Sequence, residues 1–201
     1  MNNAGSSSTD SAAEHVVTAL REAMLAAAVS AVDEDQLQRA RRLIEQAGVL
    51  LSARTSETGR RITMDRAAIA RIQAGTPWQV FTHNPLGIPQ RIAVDGATAT
   101  ATVAPSALFE GPPGLLHGGF SAAMLDALLS TLVQAQDIKA VTVQLDVAFH
   151  AAAPVTHPLT VRGAVTEVSG RKLRAEGTIH SAEVLAVSAH ALFITVPGDP
   201  D

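Results

Sequence analysis

Asp126 is the one ionisable side chain in a run of apolar and small residues, Phe120 to Val133 (FSAAMLDALLSTLV). No polar stripe recurs there at helical spacing, so the run reads as a helix buried on most of its surface. A carboxylate without partners in such surroundings costs several kcal/mol. Asp126 is therefore held by structural hydrogen bonds, placed at an open edge of the helix, or retained for chemistry. Just before the run, His117-Gly118-Gly119 ends a Gly/Pro loop. Glycines at a loop-to-helix step let another molecule approach the backbone while the first helical N–H groups are unpaired. Those N–H groups, at the positive end of the helix dipole, suit an anion or a developing oxyanion. An isolated His-Gly-Gly is also what a turn with a solvated histidine looks like.

Spacing joins the two features. Asp126 lies seven or eight positions after the glycines, which at 1.5 Å per residue is roughly 11–12 Å along the axis. A general base must come within about 3 Å of its target, directly or through one water. One helix cannot bring its own carboxylate to a carbonyl held at its own start. If both groups act together, they act across a dimer in which two such helices lie antiparallel about a two-fold axis.

The elements that must position this pair follow from the rest of the chain. With 201 residues and 47% hydrophobic content there is one sizeable core, with room for a small appendage. A net charge of −4 argues against a general nucleic-acid or acidic-membrane binder. The absence of cysteine excludes disulfides, Cys-based metal sites and a thiol nucleophile. No apolar run reaches about 18 residues, and MNNAGSSSTDS lacks the order of a signal peptide, so a cytoplasmic location is expected. Residues 1–12 read as a disordered tail. Residues 13–75 read as a helical hairpin plus linker, a packing or oligomerisation accessory or else a lid over a substrate pocket. The core domain spans 76–197, beginning near Trp78.

Within it, RIAV and ATATATV flank Asp95-Gly96 as a hairpin. After the helix, KAVTVQLDVAFHA alternates strictly. Val141, Val143, Leu145, Val147 and Phe149 are expected to face the helix, with Thr142, Gln144, Asp146 and His150 pointing away. Three more strands, LTVRGAVTEV, RKLRAEGTIH and VLAVSAHALFITV, should continue a meander. This order predicts an α+β fold with a single antiparallel sheet folded over one helix. The seven histidines show no metal-ligand spacing, so no metal is expected. Arg171, Lys172 and Arg174 after a tight turn suit a phosphate-bearing ligand, or else guard a strand edge.

EGPPGLLHGG, with Asp126 nine residues after His117, resembles the hotdog-fold acyl-CoA thioesterases, in particular the phenylacetate-pathway branch that shares a GPPG-x-x-HGG loop. The resemblance covers roughly Trp78 to Val196. It implies a hotdog fold, a dimer or tetramer, and thioester hydrolysis with no cofactor beyond the CoA of the substrate. By resemblance, the N–H at Gly118 polarises the thioester carbonyl, with Gly119 beside it. Asp126 of the partner subunit acts as general base or nucleophile, and Thr142, opening the next strand, assists. His117 is placed to orient the loop or touch the thioester. Glu110 and Gly111, which open the loop, and Arg171 and Lys172 are the candidate substrate-binding residues. After the central strand many relatives carry a basic residue ahead of a proline, where this chain has HAAAP. An acyl-carrier-protein thioesterase and a non-catalytic acyl-thioester-binding protein are the alternatives.

Overall fold

A computed structural model describes residues 4–60 and 63–196. Helix α1 (Ala4–Val29) leads to α2 (Glu34–Ser52), α3 (Arg66–Gln73), β1 (Trp78–Val80), β2 (Gln90–Asp95), β3 (Thr98–Val103), α4 (Gly118–Ala135), β4 (Ala140–Phe149), β5 (Leu159–Ser169), β6 (Lys172–Ser181) and β7 (Val184–Thr195). All strand pairings are antiparallel, in the order β1-β2-β3-β5-β6-β7-β4. The sheet curls around α4, the hotdog arrangement.

Three features differ from the expectation. Helix α1 starts at Ala4, within the stretch expected to be a tail; helix propagation is cooperative, and the Ala- and Leu-rich turns that follow carry it backwards. Residues 1–3 lie outside the described residues. Second, the strands after α4 are not a simple meander. β4 pairs with β7 and forms an edge, while β5 pairs with β3. The Pro-bearing connection from Ala151 to Pro158 carries the chain between those places. It is held to the loop before α4 by Leu116 N–H donating to the Ala153 carbonyl (2.8 Å) and Val155 N–H to that of Gly114 (3.0 Å). Third, Asp95 pairs with Thr98, so the two hairpin loop residues are Gly96 and Ala97. Gly96, at φ +54°, takes the first loop position, where glycine relieves the strain.

Two side-chain caps start the accessory helices. The carboxylate of Asp33 accepts from Gln36 N–H (2.9 Å), and that of Asp65 from Ala68 N–H (2.7 Å). Helix α1 docks on the core through Val17 and through Arg21, whose guanidinium Nη2 donates to the carbonyls of Phe81 and Asn84. Burial lowers the pKa of that guanidinium from its ordinary value. Arg21→Ala leaves the two carbonyls without this donor, and should destabilise α1 docking by about 1–3 kcal/mol. The check is faster amide hydrogen exchange in α1 with unchanged exchange in β5 to β7. Helix α2, the second arm of the expected hairpin, buries none of its residues.

The core lies between α4 and the sheet. Met124, Leu125, Leu128, Leu129, Leu132 and Val133 are each at most 1% exposed. Gly163 of β5 and Gly177 of β6 pair directly beneath them. A Cβ at Gly163 would stand 2.6 Å from Leu128 Cδ2 and 2.7 Å from Leu129 Cδ2. The two glycines therefore let the helix settle into the curl of the sheet.

Candidate active site

His117 is the N-cap of α4, with extended backbone (φ −65°, ψ 135°). Its Nδ1 accepts from Gly119 N–H at 2.9 Å. An imidazole that accepts at Nδ1 is neutral and carries its proton at Nε2. The His117 carbonyl accepts from Phe120 and Ser121 N–H. Gly119 N–H is thus already paired inside the chain, which removes it from the expected oxyanion pair. Gly118 N–H donates to no acceptor among the described residues. The loop that delivers it is pinned throughout: His117 N–H to the Phe109 carbonyl, Gly111 N–H to that of Leu115, and Leu115 N–H to that of Pro112, all at 2.9 Å. A Cβ at Gly111 would lie 3.0–3.2 Å from His117, so that glycine makes room for the histidine. Glu110 is exposed, and its side chain has no ion pair or hydrogen bond among the described residues.

Asp126 is half-buried, and its Oδ1 accepts from the Thr142 hydroxyl at 2.8 Å. Ser130, one turn further along α4, lies 3.4 Å from the same hydroxyl. Alternation had Thr142 pointing away from the helix. The register shifts between Thr142 and Gln144, leaving Val143 as an extra residue. Such a bulge inverts the facing of everything on one side of it. Beyond it, Leu145 and Val147 pack on the core as expected. Before it, Thr142 faces the helix, while Val141 and Val143 are 49% and 54% exposed. The expected burial of α4 is likewise incomplete, because Gly119, Ala123, Asp126 and Ser130 form an open side.

At the other end of β4 the Phe149 ring lies over Gly118, where a Cβ would stand 2.9 Å from Cζ. Phe109 and Phe120 join there edge to face, their centroids 4.9 Å apart. Sequence reasoning missed Ser130, Phe149 and the capping role of His117. The i, i+4 spacing from Asp126 was an available signal for Ser130, whereas the ring over Gly118 follows from strand placement alone.

Arg171 Nη2 donates to the Thr195 carbonyl (3.0 Å), and Lys172 pairs in register with Ile194, itself paired with Val141. β6 is an interior strand, so these charges guard no edge. They sit at the end of the sheet that holds Thr142. The chain therefore brings Asp126, Thr142 and Ser130 together, and keeps Gly118, His117 and Phe149 apart from them at the helix start.

A curled antiparallel sheet wrapped around one helix is the hotdog fold, and solved structures share it. Residues 113–187 match the family model described as the thioesterase superfamily. No curated protein matches the chain. Among solved structures, a thioesterase superfamily protein shares 25% identity, with a TM-score of 0.73, over 90% of this chain and 94% of its own. A hypothetical thioesterase from Streptococcus pneumoniae, solved with coenzyme A, is 16% identical, with a TM-score of 0.51, over 53% of this chain and 85% of its own. Under the same description that protein has been solved with a threonine and, separately, an aspartate replaced by alanine, at positions sixteen apart. The E. coli PaaI protein from the phenylacetic acid degradation operon is 16% identical, with a TM-score of 0.52, over 54% of this chain and 80% of its own. No helix of the described residues is long and apolar enough to cross a membrane.

Proposed function

We propose that this protein hydrolyses an acyl-CoA thioester to the free acid and CoA, at two equivalent sites formed between subunits. The observation that carries this reading is the 2.8 Å hydrogen bond from Thr142 to Asp126, eight positions along α4 from the Gly118 N–H, which has no acceptor among the described residues. By helix rise that separation is about 12 Å, too long for cooperation within one chain, and a two-fold mate removes it. The open side of α4 and the free edge of β4, with Val141 and Val143 exposed, are the surfaces such a mate would cover.

The thioester carbonyl oxygen accepts from Gly118 N–H of one subunit, where the helix dipole favours the charge that develops on it. Asp126 of the other subunit takes a proton from water, whose oxygen attacks the carbonyl carbon, or itself attacks to form an anhydride that water then opens. Collapse expels the CoA thiolate, which leaves as the thiol once protonated. The hydroxyl of Thr142 occupies Oδ1, which fixes the carboxylate plane and leaves Oδ2 for the proton or the bond. His117 holds Gly119 N–H and so sets the first turn that presents Gly118. Arg171 and Lys172 offer charge to the phosphates of CoA. A fold neighbour that holds coenzyme A makes CoA the first thiol to try.

The test is thiol release from short, long and aromatic acyl-CoAs and from carrier-protein thioesters; the cysteine-free chain adds no thiol background of its own. Turnover of carrier-linked substrates alone would move the assignment to the carrier protein. Binding without thiol release would make this a non-catalytic acyl-thioester-binding protein. Thr142→Ala removes a hydrogen bond to a charged group, worth about 1.5–3 kcal/mol. The expected result is a fall in kcat of about 10- to 100-fold with KM little changed and recovery in Thr142→Ser, read by steady-state kinetics.

A further inference from the structure

Helix α2 carries an apolar stripe that none of the described residues covers. Leu37, Ala40, Ile44, Ala47 and Leu51 recur at the a and d spacing of heptads, flanked by Leu43 and Leu50. Yet no residue of α2 is buried, and Leu37, Ile44, Leu50 and Leu51 are 48%, 55%, 77% and 52% exposed. Most helical stability in proteins comes from packing an amphipathic face, which the 19 residues of α2 do not obtain from the described residues.

We propose that α2 packs antiparallel against α2 of a second copy of this chain, about a two-fold axis passing near Ile44. Centring on Ile44 sets Leu37 of one copy opposite Leu51 of the other and brings Ala40 beside Ala47. Alanines at those layers let the axes approach to the short end of the usual 8–10 Å range. Charge selects the direction. Arg41 and Glu45 pair along one flank of α2 at 3.6 Å. In an antiparallel pair these flanks meet, so each Arg41 faces the other copy's Glu45, and the acidic first turn, Glu34 and Asp35, lies beside the other copy's Arg54. A parallel pair would set acidic turn against acidic turn.

A membrane surface fits less well. The three acids Glu34, Asp35 and Glu45 balance the arginines 39, 41 and 42 within the helix, which leaves none of the basic excess of an interfacial helix. Area argues that this contact is an addition to a larger one. A helix of this length is about 28 Å long, and a seam some 10 Å wide along it covers roughly 300 Å² per copy, against about 800 Å² per partner in a stable interface. The inference rests on the proposed function only in that a second copy is already required at the active site.

The cysteine-free chain makes the test direct. In Ile44→Cys the introduced thiol is the only one. Under mild oxidation most of the chain should run as a covalent dimer, while Arg42→Cys, on the opposite face of α2, should remain largely uncrosslinked. Equal yields from the two variants overturn the proposal. Because α2 buries nothing, Leu37→Glu with Ile44→Glu and Leu51→Glu leaves the sheet intact. It should weaken self-association at least tenfold by sedimentation, and unchanged association overturns the proposal as well. An active thioesterase dimer with no Ile44→Cys crosslink sinks this inference alone. Efficient crosslinking in a chain that releases no thiol sinks the catalytic reading alone.

Discussion

Asp126→Asn should lower thiol release by about 10²–10⁴-fold, the range for loss of a positioned general base. Asparagine keeps the shape of the side chain and an oxygen for the Thr142 hydroxyl, so the strand-to-helix contact and the fold survive. The loss should appear in kcat, with CoA binding retained. If Asp126 instead served only to anchor β4 on α4, the same variant would turn over normally, and steady-state kinetics would show it. Because the carboxylate is proposed to serve the other subunit's Gly118, mixing matters more than the single variant. Co-expression of Asp126→Asn chains with chains altered at Gly118 makes half the dimers mixed, each with one intact site, and should restore about a quarter of wild-type activity. Complete inactivity of the mixture would show that each site is built within one chain.

Gly118→Pro is the second large effect, and the geometry makes it an unusually clean deletion. Proline removes the N–H that has no partner among the described residues, and the first helical position tolerates proline because that N–H is an orphan of the helix anyway. The residue before a proline must be extended, and His117 already has ψ 135°. The contact to absorb is with Phe149, 60% exposed and at liberty to turn away. The expected loss is about 10²–10³-fold in kcat, the range for removal of one oxyanion donor. Gly118→Ala keeps the N–H and adds the same crowding against Phe149. Comparison of the two isolates the donor, and equal activity in both would strip Gly118 N–H of a role in the reaction.

The parts of this protein that depend on neighbouring residues were legible in the chain. The run from Phe120 to Val133 announced the central helix, with one carboxylate midway and two glycines at its start. The failures share one cause. VTVQLDVAF alternates without a break, so nothing in it reveals that Val143 is bulged and that Thr142 turns inward. A bulge is stabilised by what lies across from it, here the Asp126 carboxylate sixteen residues earlier. The use of Gly119 N–H by His117 was hidden similarly, since the same three residues permit either a solvated ring or a cap.

By itself the sequence determined the helix at the centre, the hairpin around Gly96, and the separation of Asp126 from Gly118 along one rod, because periodicity, glycine and helix rise are local properties. Only the tertiary structure decided that β4 lies at the sheet edge beyond β7, that Thr142 rather than Val141 meets the helix, that Arg171 and Lys172 stand at the Thr142 end, and that α2 is left uncovered. Those follow from which distant surfaces meet, and the free energy of such contacts is spread over residues far apart in the chain.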